Sequence, residues 1–230
     1  LCSTGSHIVS GFDMSGYACV YEKGKYCGKE LRLLSEVQQS AVLHQRSLRG
    51  AAEFALGWLI ERDGVLTTSP STSPENDFLI GGNKACDTSI GTTADIAIIR
   101  ECLVNTRDAA ATLGVDAELI AEIDSVLPRL QPYAINHDGS LKEWSHNFPD
   151  RDPQHRHQSH LYGLYPGHLV STEHTPAIAK AAAKTLEIKG KETTGWSAGW
   201  RINLLARLAD REGAYGMLRR LLRYVSPDGY

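Results

Sequence analysis

The stretch from Gly139 to His168, GSLKEWSHNFPDRDPQHRHQSHLYGLYPGH, holds five of the nine histidines, two arginines, several acids and a tryptophan. Such groups exchange protons and hydrogen bonds near neutral pH, and their density points to binding or acid–base chemistry on a polar ligand. The stretch is too polar to be core. Pro149, Pro153, Pro166 and Gly167 keep most of it out of regular helix, so a scaffold must hold it as a long, shaped loop, the kind of segment that carries function. Three imidazoles, His155, His157 and His160, fall within six residues and could chelate zinc. Their H-x-H-x2-H spacing lies on no evident helix and no partner motif supplies further ligands, so neither a metal nor a cofactor is expected.

The elements that must position this loop read as helices. In SLRGAAEFALGWLIER, Leu48, Ala52, Ala55 and Leu59 share one helical face, with Ser47 as cap and Asp63-Gly64 as stop. VLTTSPSTSPENDF, with two prolines and a run of hydroxyls, reads as an extended, hydrogen-bonding loop. A long helix is predicted from Thr92 to about Leu113, and another on Leu119, Ile120, Ile123 and Val126, ended by Pro128. TPAIAKAAAKTLEIKG has Pro near its start and a terminal Gly, both helix signals. GWSAGWRINLLARLAD and EGAYGMLRRLLRYV should be antiparallel helices across a short break. Almost no strand alternation is visible, so the predicted class is all-α. Residues 1–46 show no sustained period except for one amphipathic segment, LRLLSEVQQSAVL, and are set apart from a domain at 47–230.

With 42% hydrophobic and 22% charged residues and a net charge of −3, the chain has a sizeable core and no basic footprint for nucleic acid. No apolar run is long enough for a membrane span, and no signal peptide is evident. The first residue is Leu1, so an upstream segment is expected to be missing. Five cysteines at irregular spacing, without a CxxC pair, argue against a disulfide framework and a zinc knuckle and leave the redox compartment open.

Four segments then share one order: TTSPSTSPEN (67–76), GTTADIAIIREC (91–102), LKEWSHNFPDRDPQHRHQSHLYGLYPG (141–167) and TTGWSAGWRINLLARLAD (193–210). Together they closely resemble the catalytic domain of glycoside hydrolase family 95, the inverting α-L-fucosidases, over roughly residues 48–230. The resemblance implies an (α/α)6 toroid, here incomplete, with long loops on one face forming a pocket for terminal L-fucose on a fucosylated oligosaccharide or polysaccharide. Some members prefer L-galactose.

By the same resemblance, Asp95 stands at the position of the proton donor, and Arg156 and His157 look like the sugar-binding pair. Burial would raise the pKa of Asp95, whereas the helix N-terminus would lower it. On the residues alone, Thr92 and Asp95 also read as an ordinary N-cap and capping-box acid. Glu101 reads as a structural ion pair, with Arg100 or a neighbouring helix. Glu143 and Trp144 could accept hydroxyl protons from a sugar and stack on its ring, or Trp144 could anchor the loop. Trp196 and Trp200, four apart at the start of a helix, read first as packing, with Trp196 the better pocket candidate, and Glu75 and Asn76 read as support.

An inverting enzyme also needs a water-activating base. In the family this machinery lies in motifs upstream of the TTSPSTSPEN segment and downstream of Tyr230, so the chain alone is expected to have little fucosidase activity. A non-catalytic carbohydrate-binding domain and a metal-dependent hydrolase are the alternatives. The family suggests an extracellular or periplasmic site of action.

Overall fold

The computed structural model describes residues 8–12, 18–21, 45–81 and 83–224 of the 230. It divides into two compact units, residues Leu1–Gly50 and Ala51–Tyr230. In the first, β1 (Ile8–Phe12) and β2 (Ala18–Tyr21) pair antiparallel, with Ile8 opposite Tyr21 and Val9 opposite Val20. The amphipathic segment expected over LRLLSEVQQSAVL lies outside the described residues.

The second unit is mainly helical, but it is not purely α. Helical backbone over residues 45–58 (α1) ends earlier than expected. β3 (Leu59–Arg62) and β4 (Val65–Thr68) then form an antiparallel hairpin. Asp63 and Gly64, expected to stop a helix, are its turn, at φ 52° and 83°. Two successive positive φ values match the right-handed twist of a two-residue hairpin, which is why Asp-Gly serves there. β5 (Ser71–Thr72) pairs with β8 (Thr88–Ser89), and β6 (Phe78–Ile80) with β7 (Lys84–Cys86). These pieces are too short to show alternation, so the all-α expectation missed them.

The helices follow their stop and start signals. α2 spans Thr93–Leu113, with Thr92 as N-cap and Gly114 left-handed at its end. α3 (Ala117–Val126) runs into a 3-10 turn at Leu127–Arg129 that contains Pro128. α4 (Pro176–Lys189) opens on its proline and closes at Gly190. α5 (Gly195–Arg207) and α6 (Arg211–Leu221) pack against each other. Asp210 caps α6 by accepting from the Gly213 amide at 2.9 Å. Among the described residues no helix is long and apolar enough to cross a membrane.

Burial gathers in two apolar clusters. One joins Ala52 and Ala55 of α1, Leu66, Ile99 and Leu103 of α2, and Leu119 and Ile123 of α3. The other joins Leu141, Leu161, Leu164 and Val170 of the His-rich segment to Ala179, Ala181, Ala182 and Leu186 of α4 and Leu204 of α5. The small alanines let the loop approach α4 closely: the Leu141 amide donates to Thr185 Oγ1 at 3.0 Å and to Ala181 O at 3.3 Å.

Candidate active site

The hydroxyl-rich segment forms the spine of the site. Thr67, Thr68, Ser71 and Ser73 are all buried, so their hydroxyls must find partners inside the protein. Ser71 Oγ accepts from the Thr92 amide at 2.8 Å and donates to Asp95 Oδ2 at 2.6 Å, and Thr68 Oγ1 donates to the same oxygen at 3.4 Å. Ser73 Oγ donates to Glu143 Oε1 at 2.6 Å. Beyond Ser73 the chain turns, with the Asn76 amide on Ser73 O at 3.1 Å, and Glu75 takes a left-handed φ of 55°. That conformation costs a non-glycine residue roughly 1–2 kcal/mol, and it aims Glu75 at the His-rich loop.

Asp95 lies in the first turn of α2 and is half-buried. Burial raises its pKa, against the lowering effect of the Ser71 and Thr68 hydroxyls. Desolvation therefore outweighs the stabilised anion. Both hydroxyl donors reach Oδ2 and neither reaches Oδ1. Thr92 caps the helix as expected, with the Asp95 amide 3.4 Å from its Oγ1, but the reciprocal bond of a capping box is absent. The Thr92 amide goes to Ser71 instead, which frees the Asp95 carboxyl from capping. Along α2 from Asp95, Ile99 is buried but Ile98 is 46% exposed.

Arg156 pairs with Glu75 through Nη2 and Oε2. His157 Nδ1 lies 3.0 Å from Pro74 O, and its Nε2 lies 3.6 Å from Glu75 Oε2. Trp196, 62% exposed, sets its ring edge-on to His157 at 5.3 Å and to Trp200 at 5.2 Å. Asp95 and the Arg156–His157 pair are thus held by one segment, through residues 71 and 75, a span of at most about 14 Å even if fully extended. α5 fixes the loop from behind. Ser197 Oγ donates to Arg156 O at 2.5 Å, and buried Arg201 donates to Gln158 Oε1 at 3.1 Å and to Lys189 O at 3.3 Å. These anchors stand one turn apart on the inward face of α5, with Trp196 and Trp200 offset by one residue.

Glu143 and Trp144 turn inward. Trp144 is 3% exposed and packs on Phe78 at 4.8 Å between ring centroids, so neither ring face is open as a platform. The Glu143 carboxylate is also buried; besides Ser73 it meets His160 Nδ1 at 3.2 Å and Lys189 Nζ at 3.9 Å. Burial pushes its pKa up, but His160, Lys189 and Ser73 together outweigh burial and hold it well below the usual carboxylate range. A cavity of about 330 Å³ opens beside it, lined by Trp144, His160 and Lys189 among others, but not by Asp95, Arg156 or His157.

His155 and His157 meet edge-on, with 5.2 Å between ring centroids, but the three imidazoles have different polar neighbours. His155 lies 4.0 Å from Asp152, His157 faces Pro74 and Glu75, and His160 faces Glu143. Among the described residues no group of three or more His, Cys, Asp or Glu is arranged to hold a metal ion. Glu101 is buried on α2 and pairs with His168, not Arg100, which donates to the carbonyls of Leu127, Leu130 and Gln131. Ser71, Ser73 and Thr68 were missed as individual site residues. The only signal was the run of hydroxyls next to prolines.

The chain matches the model of the glycosyl hydrolase family 95 catalytic domain over residues 38–229. It belongs to that family. It is 42% identical over 182 residues to "Alpha-L-fucosidase 2" of Arabidopsis thaliana, covering 78% of this chain and 22% of that protein. Over 183 residues it is 31% identical to "Probable alpha-fucosidase A" of Aspergillus niger, covering 74% of this chain and 22% of that protein. The family 95 chain thus spans about a fifth of the length of these relatives. The family match begins before Ser47, where the change of sequence texture was placed.

Proposed function

We propose that this family 95 chain carries the acid side of a pocket that releases terminal L-fucose from α-linked glycans by inverting hydrolysis, as part of an (α/α)6 toroid completed by further segments. Asp95 donates the proton to the departing glycosidic oxygen from Oδ1. Arg156 and His157 hold sugar hydroxyls, and Trp196 offers an exposed ring face. The base that activates water is supplied from outside these residues. The observation that carries this reading is the Ser71–Glu75 segment, which ties a carboxyl of raised pKa to the Arg156–His157 pair.

Glu75 offers a second reading of the acid, favoured by one observation: its side chain is 62% exposed and lies directly against Arg156 and His157, whereas Asp95 contacts neither. The two are separated by leaving-group chemistry, since fluoride departs without a proton. Residues 38–229, placed in the matching stretch of the full-length Arabidopsis relative, are assayed on fucosyl fluoride and on a fucosylated disaccharide. D95N is expected to lose about 10²–10⁴-fold on the disaccharide and little on the fluoride. If E75Q shows that pattern instead, Glu75 is the donor. If the wild-type chimera cleaves neither substrate, the fucosidase reading fails. The 230-residue chain alone is expected to show little turnover.

A further inference from the structure

We propose that Glu143 is a positioning residue: its buried carboxylate, through Ser73, sets the Ser71–Glu75 segment against the start of α2. The argument rests on the proposed function only for which residues count as catalytic; the geometry stands without it. Residue 143 grips both partners at once. Its carbonyl accepts from the Thr93 amide at 3.0 Å, fixing the first turn of α2, two residues before Asp95. Its carboxylate accepts from Ser73 at 2.6 Å, midway between Ser71, which holds Asp95, and Glu75, which meets Arg156.

A carboxylate buried to this extent persists only when charge and hydrogen bonds compensate it. Here His160 and Lys189 do so from behind, one from the His-rich loop and the other from the end of α4. The carboxylate therefore has the His160 ring and the Lys189 ammonium on one side, while its Oε1 accepts from Ser73. A neutral residue of similar shape would hold Ser73 less firmly, since hydrogen bonds to ionised acceptors are about twice as strong as neutral ones. A surface contact would not carry this argument, but both Ser73 and Glu143 are buried.

The test is a double-mutant cycle on S73A and E143D. S73A removes the contact while leaving Glu143 with His160 and Lys189; E143D keeps the charge but draws the carboxylate back by one methylene. The first readout needs no activity: hydrogen exchange at the Thr92 and Asn76 amides of the 230-residue chain. Each single variant is expected to speed exchange there about fivefold or more while leaving the α4 amides unchanged, and the double variant is expected to add little. The second readout is kinetic, in the chimera: kcat falls with KM nearly unchanged, again without additivity. Wild-type exchange in S73A, or additive effects of the two substitutions, would overturn the inference. An inactive chimera with non-additive exchange would fail the proposed function and leave the inference standing.

Discussion

At the scale of single residues, two carboxyl groups held by one polar segment are driven in opposite directions. Asp95 is raised by burial, whereas His160, Lys189 and Ser73 hold Glu143 low, a divergence that fits the proposed division of labour between an acid and a structural anion. The stability consequences have opposite signs. For Asp95 the folded state keeps a proton that the unfolded chain has lost, so it destabilises the fold as pH rises from the ordinary 3.8 through its raised value. D95N is therefore expected to melt higher than wild type at pH 7, with the advantage vanishing as the pH is lowered toward 3.8. Glu143 contributes stability above its ordinary 4.5 and loses it as the pH falls further. E143Q should cost about 3 kcal/mol at neutral pH, in denaturant titrations, and the deficit should close in acid.

At the scale of elements, the site depends on how α2 begins. Gly91 sits at φ 58°, its amide on Thr68 O at 2.9 Å and its carbonyl accepting from Gln131 at 2.9 Å. A Cβ there would lie 2.2 Å from both Thr67 Oγ1 and Gln131 Oε1. G91A is expected to cost about 2 kcal/mol or more, from strain and overpacking together, and to lower activity by shifting Asp95; urea titration and kinetics of the same variant would show both. The elements differed in how legible they were. Thr92, Pro128, Pro176 and Gly190 announced their helix ends because caps act locally. The strands at Ser71–Thr72 and Thr88–Ser89 are two residues each and exist only because their partners, 18 and 16 residues apart, meet in space. The inward turn of Glu143 was equally hidden, since nothing in the sequence reveals that His160 and Lys189 converge on it.

At the scale of the second unit, the two apolar clusters are built from different helices. Ile123 and Leu204, one from each, are both fully buried. I123V is expected to cost about 1 kcal/mol and L204A about 2–5 kcal/mol, and their sum should hold within about 0.5 kcal/mol in the double variant. Strong coupling would mean that the clusters act as one core. Their meeting ground is polar: hydroxyls, carboxylates and backbone amides around residues 71–76, 92–95 and 142–143. Breaking these buried contacts would strand donors and acceptors, at about 1–3 kcal/mol for each group left unpaired. A ligand that forced the two clusters apart would have to offset that cost with its own contacts, so this part of the molecule keeps its shape before any ligand arrives.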